Sequence, residues 1–455
     1  MKFSKVQYAY IVIAAFLFAG MFTGVYAEKT SSENQRMEYL DNGIVRIGID
    51  LSIGGAITYF ADVKDGVNIV NSYDLGRQVQ MSFYSYPIPF EPNGKKPKNH
   101  WKQLGWNPIQ SGDCYGNPSK VLEYKNDGKL LYVKCIPMQW PLNNEPGECT
   151  FEVWIRLEGP AALVRSRINN NRSDKTQYPS RSQEVPAVYT NGPWYRLTTY
   201  TGSKPFTKDK TSLIPIKEKK RGEFPWSRFQ ATENWAALVN EKGTGVGVWA
   251  PGVQSFLGGF AGNPGSGGPK DAPTGYISPI SREILDHNIQ YEYEYHLIAG
   301  SVEQIRNYVY KYNTGPITDF DFSTDRQHWV LENASDSGWP MKGLWHVNLN
   351  RDGPRIISPG GCWQADEYST IEINAAFNTG EPAAYIRFFP FTEDGRTPGT
   401  SVSFNVINDS KMHTYRVKLS NAPGYLGAIG QFSLQPCKNG KKGQFVKVQS
   451  IKLIK

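Results

Sequence analysis

At 455 residues the chain is longer than one hydrophobic core usually serves, which predicts two folded units. Its formal charge of +8 comes without an arginine-rich stripe or zinc-finger spacing, which argues against a nucleic-acid partner. Aromatics make up 13%, with 44 Gly and 30 Pro and hardly any strongly amphipathic helix, so an all-β chain is expected.

Lys2 and Lys5 precede an apolar run from Tyr8 to Val25, and Val25-Tyr26-Ala27 is a small-x-small cleavage site before Glu28. This reads as a secretory signal peptide over residues 1–27 rather than a transmembrane anchor, because no basic stop flanks the run. No Cys follows it, so a lipoprotein anchor is not expected, and the mature protein is placed in the periplasm or outside the cell. Removing residues 1–27 takes two lysines and no acid, lowering +8 to +6. No later run is apolar enough to span a bilayer, so no membrane partner is expected after cleavage.

The first strand-like text is Ile44–Ile49, followed by Gly54-Gly55-Ala56-Ile57. From Asn71 to Tyr115 the chain gathers Asp74, Arg77, Gln78, Gln80, Ser82, Tyr84 and Tyr86, then Trp106, Asn107, Gln110, Asp113, Cys114 and Tyr115. A core segment would alternate Val, Ile and Leu with charge. Aromatics interleaved with amides and a charge pair suit a sugar instead: rings cover the C–H face of a pyranose, and amides, Arg and carboxylates take its hydroxyls. The competing interpretation is a polar edge strand with a turn-rich loop.

Strand-like runs continue at 130–135, 150–155, 162–167, 235–239, 245–249 and 290–295. Glu184 lies in an otherwise apolar stretch ending at Tyr189, and Glu233 precedes Trp235; both surroundings would perturb a carboxyl. The loop 262–268 is Gly-rich but lacks GKS/T, so it is no phosphate loop. One helix is predicted, Ser301 capping Val302–Tyr312 with Ile305, Tyr308 and Val309 on one face. A boundary follows at Asn313-Thr314-Gly315-Pro316, dividing residues 28–315 from 316–455. Tryptophans then come quickly, and strands return at 369–375, 384–389, 402–406, 414–419 and 445–453.

Of the five cysteines, none has CxxC spacing, so neither a metal nor another cofactor is expected. Cys362 and Cys437 stand alone in the second unit of an exported protein and are predicted to pair.

The opening Phe320-Asp321-Phe322 with Trp329, then Ile371-Glu372-Ile373, His413–Val417 and Val448–Leu453, resemble the galactose-binding-like jelly rolls appended to secreted carbohydrate-active enzymes. Asn42–Ile47 with Gly54–Ile57 resembles the strand pair that opens galactose-mutarotase-like supersandwiches. The resemblances imply a large β-supersandwich, a smaller β-sandwich and a glycan partner. They carry no catalytic motif, and the His–Glu arrangement of mutarotases has no clear counterpart here.

The chemistry is therefore read from the residues. Glycoside cleavage needs two carboxyl groups. The candidates are Glu184 and Glu233 as the acid–base pair, then Asp113 and Asp74. Arg77, Gln78, Gln80, Tyr84, Trp106, Asn107, Gln110, Tyr189, Trp194 and Trp235 are the binding candidates. Two alternatives remain open: a polysaccharide lyase using Tyr84, Tyr86, Tyr115 or Tyr189 with Arg77 or Arg181, and a glycan binder without turnover.

Overall fold

A computed structural model describes residues 36–218, 224–391 and 400–455. The expected signal peptide at 1–27 lies outside the described residues. Within them the chain is built almost wholly from antiparallel strands, and no helix is long and apolar enough to cross a membrane.

Alternation decides the layers. Leu131–Ile136 and Ala161–Asn170 each bury every second side chain, as a strand with one face on a core must. Among the described residues these strands belong to a nine-stranded sheet. It runs in the order Ser212–Leu213, Arg196–Thr199, Trp235–Val239, Thr244–Trp249, Gln290–Ser301, Ala161–Asn170, Cys149–Glu158, Leu131–Ile136 and Lys120–Asn126. Facing it is a ten-stranded sheet. Its main path runs Met37–Asp41, Val45–Asp50, Ala56–Asp62, Val79–Ser82, Arg181–Asn191, Thr274–Glu283, Ser255–Ala261 and Trp226–Gln230. Ile47, Ile49, Val79, Met81, Phe83, Val185 and Val188 from one sheet meet Leu131, Val133, Ile155, Val164 and Leu297 from the other in a continuous core. Each such fully buried side chain contributes about 1.5–3 kcal/mol.

The predicted helix forms over Val302–Tyr312. Ser301 accepts from the Gln304 amide while the Gln304 side chain accepts from the Ser301 amide, a reciprocal cap. Ile305, Tyr308 and Val309 pack on the outside of the nine-stranded sheet against Trp235, Trp249 and Ile298. Gly247 lets the helix come close, since a Cβ there would sit 2.4 Å from Ile305.

Among the described residues two further six-stranded sheets follow, from Asp319–Asp321 to Phe445–Ile454, enclosing a second core that includes Trp345, Trp363, Ile373, Phe388 and Phe432. One residue of this core, Ile284, comes from the chain before the helix.

The predicted Cys362–Cys437 disulfide is not made; both are buried free thiols, as are Cys135 and Cys149, and Cys114 is also free. Strand register explains this. Trp363 pairs with Ile429 and the Gly361 amide donates to the Gly430 carbonyl, so Cys362 sits beside the start of the strand Ala428–Gln435. Cys437 lies past its far end, roughly 20 Å along at strand rise. A disulfide needs Cα atoms within about 7 Å.

Candidate functional site

The strand Arg181–Asn191 crosses the middle of the ten-stranded sheet and carries a bulge: its register shifts between Glu184 and Val188 against both neighbours. A bulge inverts the alternation of facing. Glu184 and Tyr189, five residues apart, therefore reach the same face, while Val185 and Val188 both enter the core. That face is the one turned away from the nine-stranded sheet.

Glu184 is partly exposed and held from two sides. The Tyr84 hydroxyl donates to Oε2 at 2.8 Å, and the Tyr276 hydroxyl donates to Oε1. Ser82 Oγ in turn donates to the Tyr84 oxygen at 3.1 Å. Burial first, and the Glu184 charge second, push Tyr84, Tyr189 and Tyr276 well above the ordinary tyrosine range. At neutral pH all three are neutral phenols, and Tyr84 and Tyr276 serve as donors to Glu184.

One transverse row extends the site. Tyr189 pairs with Tyr276, Tyr276 with Gly259, and Gly259 with Trp226. The missing side chain at Gly259 lets the Trp226 ring lean over to Tyr276, at 4.9 Å between centroids; a Cβ there would stand 3.3 Å from the indole and 2.3 Å from the Pro225 carbonyl oxygen. Tyr189 and Tyr276 lie 4.8 Å apart.

Asp74 and Arg77 border the same surface. They form an ion pair at 3.4 Å, and both act electrostatically on Tyr189. Arg77 also donates to the Ala272 carbonyl at 2.6 Å and lies over the exposed Tyr73 ring. Arg181 crosses over Tyr84 and Tyr86 and donates to the Ser85 and Leu104 carbonyls.

The other candidates are placed elsewhere. Glu233 is fully buried on the opposite side of the sandwich. Its carboxylate accepts from Arg306 Nε and Nη2, Tyr310, Trp235 Nε1 and the Phe206 amide at 2.6–3.0 Å, so it is a structural anion and not a partner for Glu184. Asp113 is 1% exposed and closes its own turn, accepting from the Tyr115, Asn117 and Asn144 amides and the Asn117 side chain. Trp106, Trp194 and Trp235 are core residues.

The buried amides staple loops instead of meeting a ligand. Gln78 donates to the Asp74 carbonyl and Gln80 to that of Arg77. Asn107 donates to Phe83, and Gln110 to Gly54 and Gly55. Cys114 is no nucleophile, because burial pushes its thiol up to about 12. Of the sequence candidates, the open face thus gathers Glu184, Tyr84, Tyr189, Asp74 and Arg77.

Tyr276 and Trp226 were not anticipated. Their strands lack the alternation that marks a half-buried strand: Thr274–Glu283 begins with seven buried residues in a row and Trp226–Gln230 has no fully buried one. Only long-range register brings them to Glu184. Among the described residues no three His, Cys, Asp or Glu side chains converge to hold a metal ion.

No protein-family model matches the chain, and no curated protein matches it. Among solved structures it is similar to a galactose mutarotase-like protein from Lactobacillus casei, at 13% identity over 58% of this chain and 100% of that one, with a TM-score of 0.37. It is similar to a galactose mutarotase related enzyme from Lactobacillus acidophilus at 11% identity, over 58% of this chain and 98% of that one, with a TM-score of 0.34. A 4-alpha-glucanotransferase from Thermococcus litoralis is similar at 11% identity over 60% of this chain and 38% of that one, with a TM-score of 0.33. No residue's role follows from similarity at this level.

Proposed function

We propose that the protein is an exported carbohydrate-active enzyme that works on the outer face of the ten-stranded sheet, with Glu184 as the carboxylate that meets the sugar. The observation that supports this reading is the setting of Glu184: partly open to solvent, fixed by two neutral phenol donors, and bordered by the Tyr189–Tyr276–Trp226 row. Aromatic faces suit the apolar side of a pyranose, and a carboxylate oriented by donors keeps its remaining lone pairs for a substrate hydroxyl or an anomeric carbon.

Glycoside hydrolysis is the reaction these groups fit best. It needs two carboxyl groups, and Asp74, paired with Arg77 and felt electrostatically by Tyr189 as Glu184 is, replaces Glu233 as the second. Of the tyrosines that could act as the base of a β-elimination, Tyr84 and Tyr189 are raised by burial and by the Glu184 charge, which disfavours them in that role.

The test is turnover of plant, algal and host polysaccharides and their oligosaccharides, read as new reducing ends and as ultraviolet absorbance. Reducing ends without absorbance are expected. Glu184→Gln should lower turnover by about 10² or more while leaving sugar binding in place. Turnover within a few-fold of wild type in Glu184→Gln would remove Glu184 from the reaction, and an unsaturated product would replace hydrolysis with elimination.

A further inference from the structure

The two outer faces of the later sandwich treat their charges differently. On one sheet Arg416 pairs with Glu372 at 2.7 Å and Lys452 with Asp319 at 2.8 Å. The main path of the other sheet runs Val330–Glu332, Arg355–Ile357, Ala428–Gln435, Ala383–Pro390 and Ser401–Asn405. Its strand Ala383–Pro390 sends Ala384, Ile386 and Phe388 into the core, so alternation turns Tyr385, Arg387 and Phe389 outward, each half-buried. Among the described residues Arg387 has neither an acid partner nor a hydrogen-bond acceptor.

The register shows that the sheet itself does not use this guanidinium. Arg387 stands directly opposite Ser433, whose neighbours Phe432 and Leu434 point into the core, so Ser433 shares the outward face. Ser433 is fully buried, yet among the described residues its Oγ meets no hydrogen-bond partner. Even the hydroxyl across the strand therefore takes no proton from Arg387, and a half-buried charge is left with its donors free, which costs free energy unless an anion meets it. The acids nearby are engaged elsewhere: Glu381 accepts from the Lys438 and Asn439 amides, and Glu332 from Arg355. The Lys438 ammonium adds a second positive charge, 5.3 Å from the centre of the Tyr385 ring. Tyr385 and Phe389 flank Arg387 two residues to either side, roughly 13 Å apart at strand rise.

We propose that this face of the later sandwich binds a polysaccharide of uronic acid units, with a carboxylate on Arg387 and neighbouring sugar rings against Tyr385 and Phe389. A planar carboxylate accepts two parallel bonds from a guanidinium, and aromatic rings cover the apolar side of a pyranose. The separation of the two rings exceeds the length of one sugar, so the face takes an oligomer and not a single unit. The proposal borrows from the carbohydrate reading only that the partner is a glycan; Glu184 has no part in it.

The test is binding, so that it stays separate from turnover. Polygalacturonate and alginate are titrated into the full-length mature protein, each beside its fully esterified form, which keeps the sugar rings and removes the charge. Wild type should bind the free acid of at least one of them about tenfold or more tightly than its ester, and added salt should weaken that binding. Arg387→Gln, with its thermal transition checked, should erase the preference for the acid. Tyr385→Ala should weaken binding to the acid. Arg416→Gln, the same loss of charge on the opposite sheet, should bind like wild type. Equal affinity of wild type for acid and ester, or no binding to either acid, overturns the proposal without variants. So does a folded Arg387→Gln protein that keeps the preference, a folded Tyr385→Ala protein that binds like its parent, or a loss in Arg416→Gln as large as in Arg387→Gln. The carbohydrate reading of the first sandwich falls on a different result, the retention of turnover by Glu184→Gln.

Discussion

Glu184 and Glu233 are the same residue in similar sequence company, each next to apolar or aromatic neighbours, and the fold uses them in opposite ways. Glu184 keeps partial exposure and two phenol donors; Glu233 has none of its surface open and a guanidinium bound to both oxygens. The partner that decides this, Arg306, is 73 residues away on the helix, beyond any local pattern. The turn role of Asp113 is by contrast local, because an Asp between glycines closes its own turn more often than it reaches a ligand. Removing one member of a buried pair leaves the other charge unpaired. Glu233→Gln should therefore cost about 3 kcal/mol of stability, measured by urea unfolding. Loss of turnover in proportion to unfolded protein, and no more, is expected; a fully folded but inactive Glu233→Gln protein would restore Glu233 to the chemistry.

At the scale of elements, most strands and the helix were legible because their signals are local. Ser301 and Gln304 write a cap, and the periodicity of Ile305, Tyr308 and Val309 writes the buried face. The strands 255–261 and 274–283 were not legible, since Gly258, Gly259, Gly275 and Pro279 weaken the pattern. The same glycines serve the site, because Gly259 makes room for Trp226.

The helix also brings a titration with it. His296 on the strand Gln290–Ser301 lies 4.7 Å from Trp249 and shares a 2.9 Å hydrogen bond with the Tyr308 hydroxyl. Burial lowers its pKa to about 4, partly offset by Glu158. The unfolded chain takes up this proton near pH 6.5 and the folded one only near 4, so stability is full above 6.5 and falls as pH drops through that window, by up to about 3 kcal/mol. His296→Asn keeps a polar group toward Tyr308 without the titration. Between pH 7 and pH 4, wild type should lose up to about 3 kcal/mol more than the variant in urea unfolding. Parallel pH profiles for the two proteins would show that His296 is not buried neutral.

For the whole molecule, the tryptophan-rich text after Gly315-Pro316 was sufficient to expect a second sandwich, and two further sheets are found there. What could not be read was how the two pairs of sheets are joined, since the joining residues are scattered polar ones. Arg326 donates to Asp336 through Nε and Nη2, at 2.6 and 2.7 Å, and to Asp286 through Nη1 at 2.6 Å. Gln177 bridges the same two acids, and Trp345 Nε1 and the Trp339 amide complete their shells. Asp286 and Gln177 precede the helix, Arg326 and Asp336 follow it, and Ile284 sits in the later core, so the packing boundary does not coincide with the boundary in the chain. Arg326 and Asp286 are 6% and 3% exposed, which puts these charges out of reach of screening water. Burial alone would raise the Asp336 carboxyl, yet the Arg326 charge holds it below the usual carboxylate range. Arg326→Met would leave two buried carboxylates facing each other across an apolar stem. The expected cost is about 3–5 kcal/mol, and it falls on the contact between the pairs of sheets rather than inside either. Wild type should unfold in one calorimetric transition. Arg326→Met should unfold in two, and limited proteolysis should then cut near residues 313–316 and release a fragment of the later sandwich. A single transition in Arg326→Met within about 1 kcal/mol of wild type would mean that the apolar contacts around Ile284, and not the charged clasp, hold the two sandwiches together.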